Sequence, residues 1–234
     1  MAGDDLGLVF TDAELQAILS GQGTPPSIAA ALRAGSSLKR VKGDAIWSSL
    51  RFAANVAAAG TTPLAAKTYG FFSTAVNGTG MGFTPSLTLA QTNLGQAGKS
   101  PFSGPFLARS VNMYFFSTTG DAENNEVAPC LDLLLNSSYL VMKKGTSFQW
   151  QIGPLRKVAN FRGGRFFSMR TNALGYGFGD GYKLAVPFFI APDETISADL
   201  VVPDPAAHGL ILPNNYVVDA ILEFDGDAVE LVSQ

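Results

Sequence analysis

The side chains able to do chemistry are few and scattered. His208 is the only histidine of the chain and sits in the loop-like run Pro205–Gly209. A Ser-His-Asp triad would have to use it, yet the chain has no Gly-x-Ser-x-Gly turn to present a nucleophile. Two close carboxylate pairs, Asp193 with Glu194 and Asp225 with Asp227, have the residue types for acid–base work. The first lies in a Pro-Asp-Glu-Thr turn and the second in a hairpin-like Asp-Gly-Asp turn, so turn chemistry accounts for both. Asp121, Glu123, Asn124, Asn125 and Glu126 form an oxygen-rich loop without the spacing or glycine of an EF-hand. Cys130 is the single cysteine, which excludes an internal disulfide and a cysteine-based zinc site. The alternating run Gly175–Gly181, with Tyr176 and Phe178, lacks the Lys-Ser/Thr of a phosphate-binding loop and reads as a wide connection with aromatic anchors. These residues predict no catalytic centre, no cofactor, no metal and no small-molecule substrate.

The charges are more informative than the titratable pairs. Formal net charge is −3, but the signs are segregated. Between Arg33 and Arg51 lie five basic residues and one acid, Asp44. From Lys143 to Arg170 there are seven basic residues and no acid, whereas Asp180 to Glu230 holds ten acids and one base, Lys183. Such asymmetry predicts a molecule with two unlike sides. Lys39, Arg40 and Lys42 form a basic cluster suited to phosphates of a genome or of lipid headgroups. Arg156, Lys157, Arg162 and Arg165, interleaved with Phe161, Phe166 and Phe167, are candidates for inter-subunit or inner-face contacts, with single-stranded nucleic acid as the other partner of that chemistry.

The elements that must position these groups fall into two regimes. Thr11–Ser20 has the cap and apolar stripe of a helix, Ser27–Ala34 reads as a second, and Gly43–Ala59 contains a third, with Ile46, Trp47, Leu50, Ala53, Ala54 and Ala57 at helical spacing. Residues 1–62 are therefore expected to be an arm of short helices and breaks. After Pro63 the pattern turns to strands: 64–75, 86–91, 105–117, 139–142, 147–153, 165–171, 183–190, 195–202 and 216–224. Segment 195–202 alternates cleanly, with Ile196, Ala198, Leu200 and Val202 on one face. Leu107, Val111, Met113 and Phe115 share a face interrupted by Arg109. Segment 130–135 fits either a short helix or a connection. Long intervals between strands favour crossings between two sheets over simple hairpins, so residues 63–234 read as one all-β sandwich of about eight strands, of jelly-roll type.

Composition bounds the function. Hydrophobic residues are 47% and charged residues only 15% of 234, against roughly 25% charged in typical soluble domains. So few charges favour an oligomer with much buried surface. No stretch is long and apolar enough to span a bilayer as a helix, and the acidic segment 1–12 has no basic n-region, which predicts no secretory signal.

Three segments carry a resemblance: Phe71–Thr74 opening a strand, Thr88–Gly98 followed by Pro105-Phe106 and a strand from Ala108, and Val186–Ile196 ahead of an alternating strand. The layout resembles jelly-roll coat proteins of tailless, often membrane-containing bacteriophages, over roughly Leu64 to Glu230. It departs from them at Pro192–Ile196, where that family prefers Gly and Phe. The resemblance implies a capsid subunit, synthesised in the host cytoplasm and resident in the virion. It would self-assemble with its own copies and other capsid proteins into an icosahedral shell, the N-terminal arm touching genome or internal membrane lipid. It carries over no catalytic residue. The alternative is a phage spike or attachment protein, or a carbohydrate-recognition sandwich.

Overall fold

The computed structural model describes residues 16, 18–20, 24, 26–53, 67–80, 86–117, 138–146, 148–153, 159–160, 182–202 and 217–232. Among these residues, helix α1 (Pro26–Arg33) precedes nine strands: β1 (Ser37–Ala53), β2 (Lys67–Phe71), β3 (Phe106–Ser117), β4 (Tyr139–Lys144), β5 (Phe148–Ile152), β6 (Ala159–Asn160), β7 (Tyr182–Ile190), β8 (Ile196–Val202) and β9 (Val217–Val232). Residues 16 and 18–20 are also helical.

The strands form two sheets. In the first, β9 lies between β1 and β3, antiparallel to both. The far side of β3 is shared: β7 pairs antiparallel with its first half, and the two residues of β6 pair in parallel with Met113 and Tyr114. The second sheet runs β2-β8-β4-β5, antiparallel throughout. Among the described residues the chain is thus all-β, apart from the N-terminal helical ones.

Period-two alternation builds the core between the sheets. On β8, Ile196, Ala198, Leu200 and Val202 are buried and the residues between them are half-buried, as 195–202 predicted. Leu140 and Met142 of β4 face the same interior, where Ala220, Leu222 and Phe224 of β9 meet them. Phe72 stacks on Phe224 at 5.2 Å, and Trp150 meets Phe188 edge-on at 4.6 Å. A smaller cluster lies on the outer face of the first sheet. There Ile28 of α1, with Ile18 and Leu32, covers Leu38, Leu107, Phe189 and Val229.

Four expectations are corrected. The third helix over 43–59 is absent from its described part: residues 43–53 are the second half of β1, paired along their length with β9. Ile46 and Leu50, four apart, fit a helix and a strand face equally. The residue between them on the inward face is polar. Ser48 is fully buried because its Oγ accepts the Phe72 amide at 2.9 Å, so the apolar alternation is hidden. A strand placed by its sequence in the 1–62 arm is therefore part of the sandwich. Segment 86–91 is a turn, closed by Gln91 N–H to the Thr88 carbonyl at 3.0 Å and Thr88 N–H to Gln91 Oε1 at 2.8 Å.

Asp225–Asp227 is no turn but the middle of β9, which runs on to Val232. Leu107 does not share a face with Val111 and Met113. A bulge between Ala108 and Ser110 resets the register, sending Leu107 to the outer cluster while Val111 and Met113 stay in the core. The bulge brings β3 backbone against Gly226, where a Cβ would stand 2.9 Å from the Leu107 carbonyl carbon and 3.0 Å from Ala108 Cα. Only glycine fits there. The strand expected at 165–171 and the segments 121–126, 130–135 and 175–181 lie outside the described residues.

Candidate functional site

Chemistry-bearing side chains gather on the outer face of the first sheet. Alternation along β9 directs Ala220, Leu222 and Phe224 inward, so Asp219, Glu223, Asp225 and Asp227 share the opposite face. Neighbours on β1 and β3 meet these acids in register. Arg51 holds Asp219 as a two-pronged pair, Nε to Oδ1 at 2.7 Å and Nη2 to Oδ2 at 2.8 Å. The bond to Asp219 raises the guanidinium's pKa further above its already high value, against the opposing effect of burial.

Asp227 is almost wholly buried, its side chain 4% exposed, and sits between two guanidinium groups. Arg40 of β1 pairs with Oδ1, and Arg109 Nε of β3 donates to Oδ2 at 2.6 Å. Between these two ionic groups the partners are neutral. Glu223 Oε1 accepts from Asn112 Nδ2 at 3.2 Å and from the Tyr114 hydroxyl at 3.0 Å. Asp225 is exposed and meets Ser110 Oγ at 3.4 Å.

A second polar group ties turns together at one end of the sandwich. Lys144, 3% exposed, reaches Glu194 Oε2 at 3.0 Å, and the same oxygen accepts the Ala191 amide at 3.1 Å. Burial lowers the Lys144 pKa below its ordinary value, partly offset by Glu194. Lys99 donates to the Asp193 carbonyl oxygen. The Asp193–Glu194 pair is thus built into the β7–β8 turn.

The sequence-derived candidates divide as follows. Lys39, Arg40 and Lys42 lie on β1. Arg40 is engaged with Asp227 and Lys42 with Asp44 of the same chain, which reduces what the cluster offers to an external phosphate. Lys143, from the basic stretch, lies 3.7 Å from Asp199 on the neighbouring strand β8. Several unlike charges of the segregated stretches therefore meet within one subunit. Arg156, Lys157, Arg162 and Arg165, with His208 and Cys130, lie outside the described residues. Sequence reasoning missed Asn112, Tyr114 and the Arg51–Asp219 pair. Asp219 and Glu223 alternate with apolar residues in the sequence, but their partners lie more than a hundred residues away, and no local pattern connects them.

Among the described residues, no group of three or more His, Cys, Asp or Glu is placed to hold a metal ion, and no helix is long and apolar enough to cross a membrane. No family model matches the chain, and no curated protein and no solved structure matches it.

Proposed function

We propose that the chain is a structural virion protein: a jelly-roll coat subunit that assembles with copies of itself, and with other capsid proteins, into an icosahedral shell. The observation that carries this reading is the strand order. β1 pairs β9, β2 pairs β8, β3 pairs β7 and β4 pairs β5. The pairs nest, so these eight strands read as one doubled ribbon, closed at the β4–β5 hairpin, with successive pairs in opposite sheets. The contacts of β9 with β3 and of β8 with β4 close the two sheets. Nested pairing of this kind supports a reading as two interlocked Greek keys, as in the jelly rolls of viral capsid and lectin domains and cupins.

Fold alone does not choose among those uses. A metal-binding cupin site built on several histidines is excluded by the single His208. The two outer faces support a coat subunit. That of the first sheet is charged, whereas that of the second carries Thr68, Tyr139, Val141, Gln149, Gln151, Ser197 and Val201, with Lys143 and Asp199 its charges among the described residues. Unlike faces suit head-to-tail contacts, which close into rings or shells. Contact of the arm with genome or lipid phosphates is part of the proposal, weakened by the engagement of Arg40 and Lys42.

Electron microscopy of the expressed full chain tests the assignment. Shells, sheets or regular capsomers are the expected outcome. Small discrete particles at every protein concentration would sink the coat reading and leave the recognition sandwich.

A further inference from the structure

Three turns meet at one end of the sandwich, and one ion pair lies among them. The β4–β5 turn enters through Lys144 and Gly145, the β7–β8 turn through Ala191 to Ile196, and the loop ahead of β3 through Gly98 and Lys99. Lys144 Nζ reaches Glu194 Oε2 at 3.0 Å, and that oxygen also accepts the Ala191 amide at 3.1 Å. Backbone bonds run around the pair. The Gly145 amide donates to the Thr195 carbonyl at 2.8 Å, the Ile196 amide to the Gly98 carbonyl at 2.9 Å, and the Gly98 amide to the Phe72 carbonyl at 2.7 Å. Gly145 holds a φ of 60°, and a Cβ there would stand 3.0 Å from Glu194 Oε1. The turn is thus folded closely over the carboxylate. The side chain of Lys144 is 3% exposed and that of Glu194 20%.

The other charges on these elements are turned elsewhere. Lys99 donates to the Asp193 carbonyl oxygen, and Asp193 is exposed. Lys143 alternates to the opposite face of β4 and meets Asp199. Segments 72–80 and 100–105 carry no charged residue. A deeply buried ammonium is tolerated while a carboxylate stands beside it. Neutralising the carboxylate leaves that charge buried without its counter-ion, which is the costly way to break a pair. We propose that Lys144 and Glu194 form an acid-released latch, which joins the three turns while Glu194 is ionised and frees them once it is protonated. Strand pairing in the β3–β9 region does not involve the pair, so opening the latch loosens that end of the sandwich and leaves the sheets folded. The latch stands whether or not the chain builds a shell.

Amide exchange on the full chain tests the latch, with rates corrected for the intrinsic effect of pH on exchange. The Gly145 and Ile196 amides are the reporters, because they bond to backbone carbonyls and not to the carboxylate. Glu194→Gln removes the charge at constant pH and should speed exchange at both by at least about tenfold, with amides of β3 and β9 unchanged. Adding Lys144→Met to Glu194→Gln removes the stranded charge and should restore most of the protection. A purely steric or hydrogen-bonding role of Glu194 would show no such rescue. In wild type, stepwise acidification should speed the same two amides before the near-ultraviolet circular dichroism changes, and Lys144→Met alone should lose most of that response. This comparison decides alone if Glu194→Gln does not fold. Unchanged exchange in Glu194→Gln, no rescue in the double variant, or an equal acid response in Lys144→Met overturns the proposal.

Discussion

Asp227 is the side chain whose surroundings decide most at the residue scale. Its carboxylate is buried, while the two guanidiniums that hold it keep 39% and 35% of their side-chain surface exposed. Asp227→Ala would leave two like charges facing each other across β9. Removing one partner of a fully buried pair costs roughly 3–5 kcal/mol; water around both arginines lowers the expectation here to about 2–4 kcal/mol, read as a shift of the urea midpoint at unchanged slope. Lys144 carries the pH dependence. Its folded-state pKa lies below the ordinary value of 10.5, so at a pH between the two the unfolded chain binds a proton that the folded chain has released. Stability contributed by this group therefore rises with pH through the window below 10.5. Lys144→Met should flatten that rise relative to wild type; identical alkaline pH profiles for the two proteins would contradict it.

At the scale of elements, β3 and β9 are fitted to each other by a bulge and a glycine. The bulge at Arg109 aims its guanidinium at Asp227 and draws the Leu107–Ala108 backbone against Gly226. A methyl group at 226 would meet backbone atoms, which cannot swing aside as a side chain can. Gly226→Ala is therefore expected to cost about 3 kcal/mol, the upper end for overpacking, and to weaken amide-exchange protection around Leu107. Wild-type stability in this variant would mean that the bulge is free to relax. Chain entry into the sandwich is fastened in a similar way. The Phe72 amide is bound to Ser48 of β1 and its carbonyl accepts from Gly98 N at 2.7 Å. Those bonds hold Phe72 at a φ of 63°, unusual for a bulky side chain.

For the whole molecule, stability and assembly should separate. Leu200 is completely buried between the sheets, and Leu200→Ala is expected to cost roughly 2–5 kcal/mol; a loss under about 1 kcal/mol would mean that its cavity collapses or that the register differs. Contacts between subunits are a different matter under the proposed function. Exposed ion pairs contribute about 0–1 kcal/mol each, and at about 1 M salt the Debye length is about 3 Å. Such salt is expected to loosen any shell held by surface charge while near-ultraviolet circular dichroism of the subunit stays native. Shells indifferent to salt would assign assembly to the neutral face of the second sheet.

Much of the fold was legible locally. The alternation of Ile196, Ala198, Leu200 and Val202 was enough to place β8, because one buried face imposes period two on a strand. The helix at 26–33 was visible for the corresponding reason at period 3.6. What local pattern left open was settled by partners distant in the chain. Ile46 and Leu50 could serve a helix or a strand until β9 and the Phe72 amide made Ser48 an inward residue. Asp-Gly-Asp at 225–227 has the composition of a turn, yet it continues a strand because β3 needs a glycine beside its bulge and Asp227 finds two arginines waiting. Charge segregation was readable as composition, but not which charges would meet. Pairing across a sheet depends on register, and register is decided only when the sheets close around their core.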